Sequence, residues 1–319
     1  MRPPGARGNR SPGIWSCPMA TAAEPRPASL PLPGGRPGAT VRLHPLLTGR
    51  LSASPAAVHR ERGRLARLRA LGIGVPRERW SEIPVPVFLA EHPGAGAVLV
   101  DTGFHPAVAV DPKQAFGRLP GLVMKDIRME PGQAVTDQLR GHGIAPADVS
   151  VVVMTHLHSD HAGAVAELGE STFVVSRREW EVGGASGSLK GYNPRQFDHA
   201  FDWRTVDFEG GDAGSYATFG RSHDLFGDGS VRVVSTPGHT EGHMSVILRL
   251  KGREALLTGD AAYTRRTIRD TALPYLVHDE HRFRRSLREI QLYQRGAPEA
   301  LIVTGHDMEQ WRELEPVYE

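Results

Sequence analysis

The sequence predicts an α/β fold, and three observations carry that prediction. Short apolar runs of strand length recur along the chain, amphipathic helical stretches lie between them, and several of the runs end abruptly in a turn that carries histidine or aspartate. At 319 residues there is room for one large domain or two modest ones, and a hydrophobic content of 39% supports a substantial core.

Residues 1–40 are dense in proline, glycine and arginine and show no periodicity, which predicts a disordered segment ahead of a folded domain over 41–319. Met19, followed by Ala20 and Thr21, offers an alternative translation start. Residues 41–47 read as a first strand. Residues 55–71 predict a helix with Ser54 as its N-cap and Gly72 as its stop. Val58, Leu65, Leu68 and Leu71 give that helix an apolar stripe, and arginines line its other face, the pattern of a solvated surface helix. Residues 83–90 and 97–100 read as a hairpin joined through His92-Pro93-Gly94, its second strand ending in Asp101-Thr102-Gly103. A carboxylate there is placed to orient a metal-ligating histidine from behind. Residues 104–133 scatter apolar groups between glycines and prolines, as in a loop or short helices beside a pocket, and 136–142 continue as a helix.

The stretch that organises the chain follows an uninterrupted apolar run over 149–154, read as a buried strand. It ends in Thr155-His156-Leu157-His158-Ser159-Asp160-His161-Ala162-Gly163, with three histidines and a carboxylate inside six residues. His156 and His158, two apart, can turn to one side and hold one ion, while Asp160 and His161 point away toward a second. Neutral imidazoles and a carboxylate suit zinc, and manganese, iron or cobalt would also accept them.

Beyond it, 163–168 start a helix, 172–176 form a strand and 177–182 a short helix. Residues 183–229 read as irregular, with aromatics from Tyr192 to Phe219 interspersed, a lid or pocket wall in which His199 and His223 are structural. Further strands are expected over 231–235, 246–250, 255–257 and 301–303, and a helix over 280–294 with Phe283, Leu287 and Ile290 on one side. Three of these strands again end in polar turns, at His239, Asp260 and His306. Four successive strand ends of this kind supply His156, His158 and His239 for one metal and Asp160, His161 and His306 for another, leaving Asp260 to bridge both.

This set resembles the metallo-β-lactamase superfamily over about residues 80–310, which implies a four-layer αββα sandwich with two divalent metal ions at one edge. Asp260-Ala261-Ala262-Tyr263, together with Gly305-His306-Asp307-Met308-Glu309-Gln310, narrows the resemblance to the N-acyl homoserine lactonases. That resemblance implies hydrolysis of a small lactone, with Tyr263 contacting the substrate carbonyl and Asp160 passing a proton to the leaving oxygen. Residues 1–40, 55–71 and 183–229 have no close counterpart in the family, so the preferred acyl chain is not implied. A glyoxalase II-like thioesterase shares all seven ligands, but the acidic Glu313, Glu315 and Glu319 after His306 do not suit glutathione. A β-lactamase would often place cysteine at a metal position, and Cys17 is far from every motif. A non-catalytic protein of this fold would be expected to have lost ligands, and none is lost.

The formal charge of +2 hides an asymmetry. Residues 1–80 hold 14 arginines, no lysines and three glutamates, 14 − 3 = +11, so the remainder carries 2 − 11 = −9. An acidic body argues against a polyanionic substrate, and no nucleic-acid motif accompanies the basic segment. No apolar run approaches the roughly 18 residues of a membrane span, and residues 1–18 lack the apolar stretch of a secretory signal. With a single cysteine no internal disulfide is possible, which points to the cytoplasm. Either a monomer or a homodimer is compatible with the sequence.

Overall fold

A computed structural model of the chain describes residues 23–111, 124–185, 190–199 and 201–319. One sheet contains β1 Arg26–Pro27, β2 Arg42–Ala53, β3 Ser81–His92, β4 Gly96–Val100, β5 Met124–Arg128, β6 Val149–Val153, β7 Thr172–Ser176 and β8 Asp202–Val206, in the order β1-β8-β7-β6-β4-β3-β2-β5. The second contains β9 Gly214–Tyr216, β10 Phe219–Asp224, β11 Val231–Ser235, β12 Met244–Arg249, β13 Glu254–Leu257 and β14 Leu301–Val303, each beside its neighbour in sequence. The helices are α1 Pro55–Val58, α2 Ala66–Ala70, α3 Val135–Gly141, α4 Arg177–Ala185, α5 Pro194–Phe197, α6 Arg265–Asp270, α7 Glu280–Gly296 and α8 Met308–Glu313.

Period-two alternation along the strands builds the layers. Val151 and Val153 of β6 meet Val231, Val233, Met244 and Val246 in a core shared by the two sheets. Val152, between them, faces the other way and packs with Phe173, Trp203 and the α3 residues Val135 and Leu139. Val234 and Ile247 of the second sheet likewise turn outward to Phe283, Leu287 and Ile290, the buried stripe of α7. Helix, sheet, sheet, helix is therefore the order of layers, the αββα sandwich that the sequence led us to expect. The start of α7 is fixed by Asp279, whose carboxylate accepts the Arg282 N–H at 3.0 Å.

The hairpin β3–β4 forms as expected, and His92 explains its turn. Its Nδ1 accepts the Gly94 and Ala95 N–H groups, so its Nε2–H is free to donate to Asp228 and Ser230.

Several expectations are corrected. Residues 1–22 lie outside the described residues, but 23–40 are packed, not disordered. β1 pairs with β8, the Leu32 N–H bonds the Leu225 carbonyl, and Leu32 joins the inter-sheet core. The helix foreseen over 55–71 is broken into α1 and α2. After α1 the backbone extends at His59, and the Arg60 N–H bonds the Leu273 carbonyl instead of continuing the helix. The Ser54 side chain makes no cap bond, and of the apolar stripe only Val58 is buried, while Leu65, Leu68 and Leu71 face solvent, Leu65 being 57% exposed. The stretch 183–229, outside the undescribed 186–189 and 200, holds α5, β8, β9 and β10. β10 buries Ser222 and His223, so no apolar run announced it. Within 104–133, β5 adds an unforeseen strand beside β2, and the rest of that expectation over 112–123 lies outside the described residues. The turn after Gly163 is a short 3-10 segment, Val165–Leu168.

Candidate metal centre

Topology gathers the polar turns. β4 runs parallel to β6, and β13 parallel to β14, so Asp101 and the His156 loop leave one sheet at one edge while Asp260 and His306 leave the other together. The Met244 N–H donates to the Thr155 carbonyl at 3.0 Å and ties the two edges to each other.

The seven residues singled out in the sequence all converge here and all but His158 are buried. Potential ligand atoms of His156, His158 and His239 lie within 4.8 Å of one another, as do those of Asp160, His161 and His306. Asp260 stands between the groups. Its Oδ2 is 3.1 Å from His239 Nε2 and 3.9 Å from His156 Nε2, and its Oδ1 is 3.0 Å from His306 Nε2 and 3.3 Å from His161 Nε2.

Outward nitrogens of the imidazoles are anchored, which fixes the tautomers. Asp101 accepts His161 Nδ1–H at 2.8 Å, the role foreseen for it, and also the Thr155 hydroxyl and N–H, each at 2.8 Å. Because the Thr155 hydroxyl donates to Asp101, it accepts from His156 Nδ1 at 3.1 Å. His306 Nδ1–H donates to the Pro84 carbonyl at 3.0 Å. The Nε2 atoms of these three rings are thereby left as lone pairs directed inward. Among buried polar atoms, His156 Nε2, His161 Nε2 and Asp260 Oδ1 have no hydrogen-bond partner. Orphaned acceptors turned toward one another beside a carboxylate are what a divalent cation would satisfy, so the donor set fits metal.

The electrostatics agree with that division of labour. Burial, with neighbouring imidazoles, holds His156 well below its ordinary value; burial likewise holds His239 down despite Asp260, and His158 is lowered as well. Burial would also lower His161 and His306, but Asp260 and the other carboxylates carry both up. Asp260 itself, which burial would raise, is drawn well down by His306, His239 and His161. The carboxylate-rich half therefore attracts positive charge, for which a metal competes with protons.

Tyr263 reaches the centre from the turn after Asp260, its ring 5.0 Å from that of His306 and 5.6 Å from that of His239. Burial, with Asp260 and Asp160, pushes its hydroxyl well above the ordinary tyrosine value, so it stands as a protonated donor at neutral pH. A cleft of about 910 Å³ touches the centre only through His306, and the arginines around it, Arg265, Arg266, Arg269 and Arg312, are all ion-paired.

Residues 80–306 match the Metallo-beta-lactamase superfamily. N-acyl homoserine lactonase AttM of Rhizobium radiobacter is 35% identical over 234 residues, covering 72% of this chain and 84% of that protein. The AttM lactonase of Azorhizobium caulinodans is 36% identical over 235 residues with the same coverage. The chain belongs to the metallo-beta-lactamase superfamily, in its N-acyl homoserine lactonase family. Among solved structures, a B. thuringiensis AiiA mutant with N-decanoyl-L-homoserine bound at its active site superposes with a TM-score of 0.71 at 22% identity, covering 88% of this chain and all of that one. At that identity the likeness speaks for the fold alone.

Two buried groups of this lactonase-family site escaped the sequence reading. Glu179 on α4 accepts the Leu157 N–H (3.1 Å), the Tyr192 hydroxyl (3.0 Å), the Thr240 hydroxyl (2.6 Å) and the Gly242 N–H (3.2 Å), and so joins the two histidine loops. Burial raises its carboxyl against the pull of those donors. His243, four residues after His239, is also enclosed, and burial brings it down to about 3. The only signal for it was a second histidine in Gly238-His239-Thr240-Glu241-Gly242-His243. His199 and His223 lie away from the centre; His223 Nε2 bonds the Asp207 carbonyl.

Proposed function

We propose that this chain is a dinuclear metal-dependent hydrolase that opens the lactone ring of N-acyl homoserine lactones by adding water across the ring ester. The observation that carries the reading is the position of Asp260, one carboxylate within reach of both imidazole groups, in a chain of the lactonase family. His156, His158 and His239 would hold one ion, Asp160, His161 and His306 the other, and Asp260 both. We assign zinc to the site, because a buried set of imidazole and carboxylate donors suits it. When bound, the ions supply Lewis acidity toward a carbonyl oxygen and make water nucleophilic near neutral pH.

The chain's own groups do the rest. Tyr263, protonated at neutral pH, donates to the carbonyl oxygen as negative charge gathers on it. Asp160, 3.8 Å from His306 Nε2, takes up the proton that the added water gives up and passes it to the ring oxygen as the C–O bond breaks. Asp101 keeps the His161 ring in the tautomer that presents Nε2 inward. The single cysteine supports a reducing compartment, and we place the enzyme in the cytoplasm. Among the described residues no helix is long and apolar enough to cross a membrane.

Mass spectrometry of products tests the assignment. Zinc-loaded protein should add one water to acyl homoserine lactones, and Asp260→Asn should not. Cleavage of S-lactoylglutathione with the lactones untouched would transfer the enzyme to the thioesterase branch. Light scattering on the same sample separates monomer from homodimer.

A further inference from the structure

Asp260 is asked to reach two clusters at once, and its short side chain has little freedom to do so. The position of its backbone therefore decides where its oxygens fall. The Asp260 N–H donates to His243 Nε2 at 3.0 Å. A backbone amide can only donate, so that nitrogen carries a lone pair and the ring proton sits on Nδ1. Nδ1 is 2.9 Å from Thr236 Oγ1, which must then accept. The Thr236 hydroxyl is left to donate to Ser245 Oγ at 2.8 Å, and Ser245 donates to the Thr258 carbonyl at 2.9 Å. The relay thus begins at Asp260 and ends at Thr258, on the two sides of one tight turn. Thr236, His243, Ser245 and Thr258 are all completely enclosed.

Gly259, between the two anchored residues, has φ +51°, and a Cβ there would lie 2.8 Å from His243 Nε2. The turn is pressed against the imidazole as closely as a glycine allows. His243 is not among the groups that converge as metal ligands; its free lone pair is already used by the Asp260 amide.

We propose that His243 is a positioning residue that, through this one-way relay, sets the backbone of Asp260 and so the sharing of its carboxylate between the two halves of the centre. The inference rests on the metal-centre reading above. It assigns to Thr236 and Ser245 the task of holding the His243 tautomer, and to Gly259 that of admitting the ring.

The test compares zinc and cobalt binding, by chelator competition and stoichiometry, in the full-length protein and four variants. His243→Phe keeps a ring but offers no acceptor, and should weaken uptake of metal by about 10- to 100-fold, the range for loss of a group that orients a ligand. His243→Gln, whose side-chain oxygen can accept the Asp260 amide, should recover much of the loss. Thr236→Val and Ser245→Ala leave the imidazole in place and should give smaller losses in the same direction; they carry the test if His243→Phe does not fold. Unchanged affinity and two-metal stoichiometry in folded His243→Phe would overturn the proposal, as would equal losses in His243→Gln and His243→Phe. Wild-type protein that takes up no metal would instead sink the metal-centre reading itself.

Discussion

Removing the Glu179 carboxylate should destabilise the protein and loosen one half of the centre before the other. The side chain is fully enclosed and accepts four hydrogen bonds, two from backbone amides and two from hydroxyls. In Glu179→Ala the Tyr192 and Thr240 hydroxyls can rotate to seek other partners, but the Leu157 and Gly242 amides cannot. Each buried donor left without an acceptor costs about 1–3 kcal/mol, so the pair predicts a loss of about 2–6 kcal/mol. Glu179→Gln should fall between. Its oxygen can keep the Leu157 amide and the Tyr192 hydroxyl, and the Thr240 hydroxyl can reverse to accept from the new amide. Only the Gly242 N–H then faces another donor, which predicts about 1–3 kcal/mol. Urea unfolding of chelator-treated protein measures these values without any contribution from metal. In metal titrations the loss should fall on the His158 and His239 side, since Leu157 lies between His156 and His158 and Thr240 follows His239. A Glu179→Ala protein within about 0.5 kcal/mol of wild type, the range of an ordinary surface change, would refute the idea that this carboxylate bolts the two loops together.

Three further perturbations probe separate parts of the argument. Tyr263→Phe should lower kcat by about 100- to 1,000-fold, the usual effect of losing one donor to a developing oxyanion, with metal content unchanged; a wild-type rate would show that the ring only packs behind the centre. Asp101→Asn would present an N–H₂ group to donors that now all point at a carboxylate, and metal affinity should fall about 10- to 100-fold, read by chelator competition. Asp228 gives a pH signature. Burial alone would raise its carboxyl, but Ser230, the Arg36 amide and His92 carry it down to about 2. A depressed carboxyl adds stability that is present above its ordinary value near 3.8 and is lost as pH falls toward about 2. Asp228→Asn should therefore remove about 2 kcal/mol at neutral pH, flatten the acid limb of a urea-midpoint profile between about pH 4 and 2, and expose the segment around Arg36 to protease; an unchanged profile would remove the basis for this expectation.

Residues that face the centre were legible and residues that hold them were not, for a physical reason. His156, His161, His239, Asp260 and His306 stand just past apolar strands, where an ionisable group has no business unless something at the sheet edge needs it. Glu179 sits in Arg177-Arg178-Glu179-Trp180-Glu181, which reads as the charged face of a surface helix. Its burial comes from a loop more than 60 residues away: a Cβ on Gly242 would fall 2.1 Å from the Glu179 nitrogen, so only glycine lets that loop lie on the helix. His243 immediately precedes β12 and its partner amide is 17 residues further on, a pairing that no local pattern encodes. The same limit explains β10, whose buried Ser222 and His223 gave no apolar alternation, and residues 23–40, whose packing depends on backbone bonds to β8 and to Leu225 rather than on their own composition.

The supports of the centre divide it in a way that makes their roles separable. Asp101 holds His161 directly and His156 through Thr155, so it touches one imidazole from each group. Glu179 reaches only the loops of the His158 and His239 side. The His243 ring lies 5.2 Å from that of His156 and 6.1 Å from that of His239, but its hydrogen bond within the centre goes to the Asp260 amide. If the centre were held simply by general compactness, substitutions at these three places would lower metal affinity in proportion to lost stability. Because the hydrogen bonds of each support end at a different part of the centre, the losses should instead differ in kind: both ions weakened for Asp101, one for Glu179, and their sharing of a carboxylate for His243. Plotting metal affinity for each site against unfolding free energy across the variants distinguishes the two cases, and a single common line would favour compactness.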